Sequence, residues 1–218
     1  MTAGQVKCPA PGSRLAAMKP LRLSLALAAL LAATPVLADP IPLSSLSAYL
    51  NSFQTAQADF TQINADGSIS TGTLSIKRPG RARFEYAPPE KALVLAGGGQ
   101  VAVYDDKSNQ PPEQYPLKRT PLNLILERNV DLGRARMVVG HAEDGTSTRV
   151  VAQDPEHPDY GTITLVFTND PVELRQWIIT DEAGSQTTVV LGQLKTGMPL
   201  GARMFNIIQE TADRMKRR

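Results

Sequence analysis

The residues that could carry covalent chemistry are few, and none stands in a spacing that would organise it. His141 and His157 are the chain's two histidines, both beside loop-forming residues, and no HExxH, CxxC or Ser/His/Asp arrangement accompanies them. The run His157-Pro158-Asp159 offers two ligands where a tetrahedral metal centre needs three or four, so it reads as a solvated loop. Asp105-Asp106 follow a strand-like run and end it; paired carboxylates without a cleft partner do not make an acid/base site. Gly97-Gly98-Gly99 joins two strand-like runs and opens no helix whose N-terminus would hold an anion, so it is a hairpin turn. The expectation is a non-enzyme with no metal and no cofactor.

One residue nevertheless makes a chemical demand. In the segment 72–86 (GTLSIKRPGRARFEY) a strand's period of two puts Gly72, Leu74, Ile76 and Arg78 on one side and Thr73, Ser75 and Lys77 on the other. After Pro79-Gly80 the alternation resumes, with Ala82, Phe84 and Tyr86 opposite Arg81, Arg83 and Glu85. Arg78 therefore ends an apolar face. A guanidinium keeps its charge and brings five donors, so an inward Arg78 must find carbonyls, a carboxylate or water; an outward one snorkels to solvent. Both readings are open from the residues alone. Phe60, Phe84, Tyr86, Phe167 and Trp177 likewise read either as plain core or as the lining of a cavity.

The elements that must position these side chains begin late in the chain. Lys19 and Arg22 precede an apolar run over 23–33, and Val36-Leu37-Ala38 supplies the small or aliphatic residues read by a signal peptidase, predicting cleavage after Ala38. The run is about half the ~20 apolar residues that span a bilayer, so no stable membrane insertion is expected. Residues 1–17 read as an upstream extension, Met18 being the expected start. The single cysteine, Cys8, precedes the apolar run, whereas an acylated lipoprotein cysteine would follow it. An exported chain without cysteine has no disulfide, which suits a bacterial periplasm. Lys7, Arg14, Lys19 and Arg22 leave with the leader and no acidic residue does, so 23 basic against 21 acidic residues becomes 19 against 21, a net charge of about −2. The apparent basicity belongs to the leader, and nucleic-acid binding is not expected.

From residue 39 the expectation is one domain, 39–218. Leu43, Leu46, Leu50 and Phe53 recur at helical spacing behind Pro42 and serines able to cap, predicting a helix over 43–53. Strands are predicted near 55–64, 71–78, 81–87, 91–96, 100–104, 136–140, 147–153, 161–167, 173–181 and 185–193, separated by turn signals such as Asp66-Gly67, Pro79-Gly80 and Ala183-Gly184. This is an antiparallel meander. A polar, proline-rich link interrupts it near 105–119. A short helix then follows, with Thr120 as cap, Pro121 in the first turn, and Leu122, Ile125 and Leu126 on one face. From Ala202 onward, Met204, Ile207 and Ile208 fit a helix start or a strand end equally.

Phe60-Thr61-Gln62, the stretch 72–79 (GTLSIKRP), Phe84-Glu85-Tyr86 and Thr120-Pro121, taken in that order, make the chain resemble the LolA family of periplasmic outer-membrane lipoprotein carriers over most of 43–193. The resemblance implies a mainly β fold: an unclosed antiparallel β-barrel, a curved half-barrel sheet, with short α-helices lidding its apolar face. It implies a monomeric chaperone that receives acylated lipoproteins from an inner-membrane ABC releasing complex and delivers them to an outer-membrane receptor where one exists. The family's lid-holding arginine falls on Arg78, and its apolar helix and lid positions fall on Leu50 and Ile125. The expected acyl-chain cavity and lid comprise Leu46, Leu50, Phe60, Leu74, Ile76, Phe84, Tyr86, Leu122, Ile125, Leu126, Phe167 and Trp177. Ala82 departs from the family's usual aromatic. The other reading of such a half-barrel is a periplasmic sensor of mislocalised lipids or lipoproteins.

Overall fold

A computed structural model describes residues 39–105, 107, 108, 110–134 and 136–217; the expected leader and Asp106 lie outside the described residues. Helix α1 (Leu43–Asn51) leads into the hairpin β1 (Thr55–Ile63) and β2 (Ile69–Lys77), followed by β3 (Ala82–Tyr86), β4 (Leu93–Gly97), β5 (Gln100–Tyr104) and β6 (Glu113–Pro116). A 3-10 turn (Leu117–Arg119) and one turn of helix α2 (Asn123–Leu126) precede β7 (Val138–Glu143), β8 (Ser147–Gln153), β9 (Thr162–Asn169), β10 (Val172–Thr180) and β11 (Gln186–Leu191). The chain ends in β12 (Lys195–Thr196), a 3-10 turn (Ala202–Phe205) and α3 (Ile207–Arg217).

All twelve strands belong to one antiparallel sheet in the order β6-β5-β4-β3-β2-β1-β11-β10-β9-β8-β7, with β12 continuing beyond β11 along β1. Among the described residues no pairing joins β6 to β7, so the sheet is not closed. It is nonetheless strongly curled. Phe84 on β3 and Trp177 on β10 stand four strand steps apart, about 19 Å on a flat sheet, yet their rings meet edge to face at 6.2 Å. The expected mainly β, unclosed sheet with short helices is the architecture observed.

Alternation sorts the side chains into two cores on opposite faces. The inner face, with α1 and α2 against it, gathers Leu46, Leu50, Phe60, Leu74, Ile76, Phe84, Leu122, Ile125, Leu126, Phe167 and Trp177 into one buried cluster. On the outer face Leu93, Leu95, Ala102 and Tyr104 pack beneath Leu200 and Phe205 of the C-terminal segment. The β4–β5 hairpin therefore contributes to both cores, and its tip comes so close to that segment that a Cβ on Gly97 would lie 2.1 Å from the Phe205 carbonyl oxygen.

Several local expectations are refined. Helix α1 stops at Asn51, leaving Phe53 in the exit. Its N-terminus has no side-chain cap; Pro42 O accepts from Ser45 and Leu46 N–H, while Ser47 Oγ donates back to Leu43 O. Thr120 does not cap α2 through its hydroxyl, which donates to Leu117 O of the preceding turn. The edge strand β6 pairs with β5 inside the region read as an irregular link. Of the two alternatives open from Ala202 onward the structure takes the helix: Met204 lies in a 3-10 turn, and Ile207 and Ile208 begin α3.

Candidate functional site

The strand β2 ends at Lys77, and the chain reverses through Arg78-Pro79-Gly80 into β3. Three hydrogen bonds fix that reversal against the helices. Arg78 N–H donates to Gln54 O at 2.8 Å, Gly80 N–H donates to Leu126 O at 2.8 Å, and the Arg78 guanidinium reaches Phe53 O through Nη2 at 2.5 Å. Arg78 Nη1 stands 3.4 Å from Asn51 Oδ1, at the outer limit of a bond, and Cζ lies 4.9 Å over the Phe53 ring. The residue is 5% exposed. Its Nε has no partner among the described residues, and burial pulls its pKa down from the ordinary value. The charge is thus turned inward and placed at the C-terminal end of α1, where unpaired carbonyls favour a cation.

Asn51 extends the same contact. Its side chain accepts from Val130 N–H at 2.9 Å and donates to Val130 O at 2.8 Å, while Leu132 N–H donates to Ser47 Oγ at 3.0 Å. The exit of α1, the end of β2 and the loop following α2 are consequently joined through Arg78 and Asn51.

The inner face also borders a cavity of about 800 Å³, lined by residues other than those of this junction and large enough for a ligand of drug or lipid-chain size. Phe84, Val94, Val101, Leu122, Trp177, Ile179 and Val189 give it an apolar wall, and Pro121 flanks it at the start of α2. Gln62 and Tyr86 are polar members of the wall; Arg119, Asp159, Asp181 and Glu182 are exposed residues of its lining. Arg119 Cζ lies 5.9 Å over the Tyr160 ring, which stacks on His157 at 4.6 Å. Burial pushes the Tyr86 phenol up to about 12. The arrangement has no nucleophile paired with a base, and no group of three potential metal ligands occurs among the described residues. What it offers is apolar area that a greasy ligand would cover.

Of the residues singled out from sequence, Phe84, Tyr86, Leu122 and Trp177 line this cavity. Leu46, Leu50, Phe60, Leu74, Ile76, Ile125, Leu126 and Phe167 lie in the contiguous buried cluster instead, and Tyr86 packs against it. Ala82 is fully buried, opposite Ile76 on β2 and Ala96 on β4. Sequence reasoning missed Gln62, Val94, Val101, Tyr115, Ile179 and Val189. Val94, Val101 and Val189 carry a legible signal, being apolar residues at the alternate positions of strands assigned correctly. Gln62 carries none, since a strand glutamine ordinarily faces water.

Comparison with known proteins identifies relatives by sequence. The family model described as outer membrane lipoprotein carrier protein LolA matches residues 51–208. An outer-membrane lipoprotein carrier protein from Coxiella burnetii is 26% identical over 171 residues, covering 74% of this chain and 80% of the relative. One of the same name from Pseudomonas aeruginosa is 29% identical over 177 residues, covering 77% and 83%. Among solved structures, a LolA superfamily protein from Nitrosomonas europaea aligns with a TM-score of 0.40 and 10% identity over 76% of this chain and 98% of its own. With its match to more than two thirds of the residues, the chain belongs to the LolA family of outer-membrane lipoprotein carrier proteins.

Proposed function

We propose that this protein is a periplasmic, monomeric and non-enzymatic carrier that shields the acyl chains of lipoproteins in the apolar cavity and hands them from an inner-membrane ABC releasing complex to an outer-membrane acceptor. The observation that carries the reading is the cavity of about 800 Å³ walled by Phe84, Trp177, Val94, Val101 and Val189 on the inner face of an unclosed sheet. In this reading residues 1–38 are a leader removed after Ala38, and 39–218 form the working domain.

A carrier must bind and also let go. Each buried methylene contributes about 0.8 kcal/mol, so a fully accommodated acyl chain would be held too tightly to transfer. The contact at Arg78 supplies the opposing term. A hydrogen bond from a charged donor is worth about 1.5–3 kcal/mol. If cargo must part the α1 exit from the end of β2, the lost Arg78–Phe53 bond is subtracted from the binding energy, and delivery needs only an acceptor of higher affinity. Arg78 is then the latch, with Leu50, Ile125 and their neighbours the apolar lid it restrains.

Purified protein incubated with spheroplasts tests this directly. Lipoproteins should appear in the supernatant bound to it, and then partition into outer-membrane vesicles. Supernatants free of lipoprotein, with an intact protein, would refute the carrier function.

A further inference from the structure

A second hollow, of about 590 Å³, adjoins the cavity and shares two lining residues with it, Arg119 and Tyr160. The Arg119 guanidinium lies 5.9 Å over the Tyr160 ring, and His157 stacks on the same ring at 4.6 Å. This stack is the partition between the two spaces. The chain beside it serves both: Thr120, Pro121 and Leu122 line the cavity, and Asn123 and Leu124 line the hollow.

The chemistry changes across the partition. The cavity wall is largely apolar, whereas the hollow is lined by charge. Arg134 Nη2 donates to Glu127 Oε1 at 3.1 Å and Oε2 at 3.0 Å, so that pair satisfies itself. Two further cations, Lys118 and Arg119, stand in the 3-10 turn, and two carboxylates, Asp154 and Glu156, come from the loop after β8. Among the described residues no ion pair joins these two sets. Asp154 Oδ1 instead accepts Glu156 N–H at 2.9 Å, which shapes the loop. A ligand that carries both signs of charge is the complement: a phosphodiester for the Lys118 ammonium and the Arg119 fork, and a primary ammonium for the carboxylates. The cavity's own rim holds Asp159, Asp181 and Glu182, which repel a phosphate and leave Lys118 and Arg119 as its place. A fatty acid lacks the ammonium, and a neutral glyceride lacks both charges.

We propose that cavity and hollow together bind a diacyl glycerophospholipid with a phosphoethanolamine headgroup. Its chains lie in the cavity, its glycerol crosses at Arg119 and Tyr160, its phosphate meets Lys118 and Arg119, and its ammonium meets Asp154 and Glu156. The site rests on the carrier reading for the acyl cavity and adds free phospholipid as a second class of cargo.

The test titrates three monomeric lipids into the purified protein: dioctanoyl phosphatidylethanolamine, dioctanoyl phosphatidylglycerol and dioctanoylglycerol. Trp177, the chain's single tryptophan, lines the cavity and reports chain entry by its fluorescence. The phosphatidylethanolamine should bind about tenfold more tightly than dioctanoylglycerol, the size expected of a few exposed ionic contacts, with the phosphatidylglycerol between them. Lys118→Gln should weaken both phospholipids about threefold, and Glu156→Gln the phosphatidylethanolamine alone. Neither residue lines the cavity, so dioctanoylglycerol should bind both variants as it binds the wild type. Glycerophosphoethanolamine, the headgroup without chains, should give no calorimetric signal at concentrations where the lipid saturates. Equal affinity for the three lipids, or a preference unchanged in both variants, would overturn the headgroup site and leave the acyl cavity standing. Glycerophosphoethanolamine binding as tightly as the lipid would overturn it too, the hollow then being a site for a small zwitterion. If no lipid binds while lipoproteins still leave spheroplasts, the phospholipid site falls and the carrier reading remains; if lipoproteins also stay behind, both fall.

Discussion

Replacing Arg78 by leucine separates the stability of the fold from the hold on cargo. In the wild-type protein the Nη2–Phe53 O bond at 2.5 Å is a charge-assisted contact in a site that is 5% exposed, worth about 1.5–3 kcal/mol. The 3.4 Å approach to Asn51 adds little. Two costs offset the gain: the guanidinium is desolvated, and Nε has no partner among the described residues. A net contribution of about 1–2 kcal/mol to the closed arrangement remains. Leucine removes the bond and both costs together and keeps an apolar stem against the Phe53 ring, so the melting temperature should move by only a few degrees. Opening the α1 exit becomes easier by the same 1–2 kcal/mol, which tightens acyl binding by about 5- to 30-fold. The assay is transfer of a labelled acyl-peptide from the protein to outer-membrane vesicles. The variant should load normally and unload correspondingly more slowly. A variant that melts like wild type and unloads at the wild-type rate would refute the latch.

Gly72→Ala should lower unfolding free energy by at least about 1–3 kcal/mol, measured by urea titration, because the new Cβ would sit 2.2 Å from Glu85 O and 2.8 Å from the Phe60 ring. Gly97→Ala meets Phe205 O instead; hydrogen exchange should show protection lost over 198–217 while β1, β2 and β10 keep theirs. Acidification should loosen α3. Burial alone would raise the Glu210 carboxyl, but the Arg83 and Arg214 guanidiniums hold it below its ordinary value of 4.5, so its stabilising contribution is complete above that pH and is lost as pH falls further. Limited proteolysis of the C-terminal helix should accelerate below about pH 4.5 in the wild type, and Glu210→Gln should show the accelerated rate at neutral pH with little further change.

The sequence was most legible where one face of a strand is oily and the other wet. Leu74, Ile76 and Arg78 share the inner side as their spacing requires, and the guanidinium, ambiguous alone, is turned in because Phe53 O and the end of α1 receive it. Legibility failed where a partner arrives from far along the chain. Arg83 alternates correctly to the outer face, yet it bonds Met204 O and Glu210, because the segment 198–217 lies over it. No local pattern announces that cover. Strand β6, written Glu-Gln-Tyr-Pro, has no apolar alternation; its pairing with β5 is a matter of backbone hydrogen bonds, and its tyrosine reaches the cavity regardless. The cavity wall was half visible for a related reason. Burial can be inferred strand by strand, but which buried side chains border empty space depends on how far the sheet curls.

The sheet order carries a consequence for how the chain acquires its structure. β2 to β6 form one flank by successive neighbour pairing, and β7 to β11 form the other in the same way, so each can assemble from contacts close in sequence. Among the described residues, strand pairing joins the two flanks only through β1, which receives β11 over Phe60–Ile63 and β12 over Ala56–Gln57. The seam thus waits for nearly the last strands made, and closing so long a loop is the slow, entropically costly step. Until it closes, the inner apolar face of each flank is uncovered. The same surface that suits a carrier for greasy cargo makes the half-assembled chain a client for other chaperones.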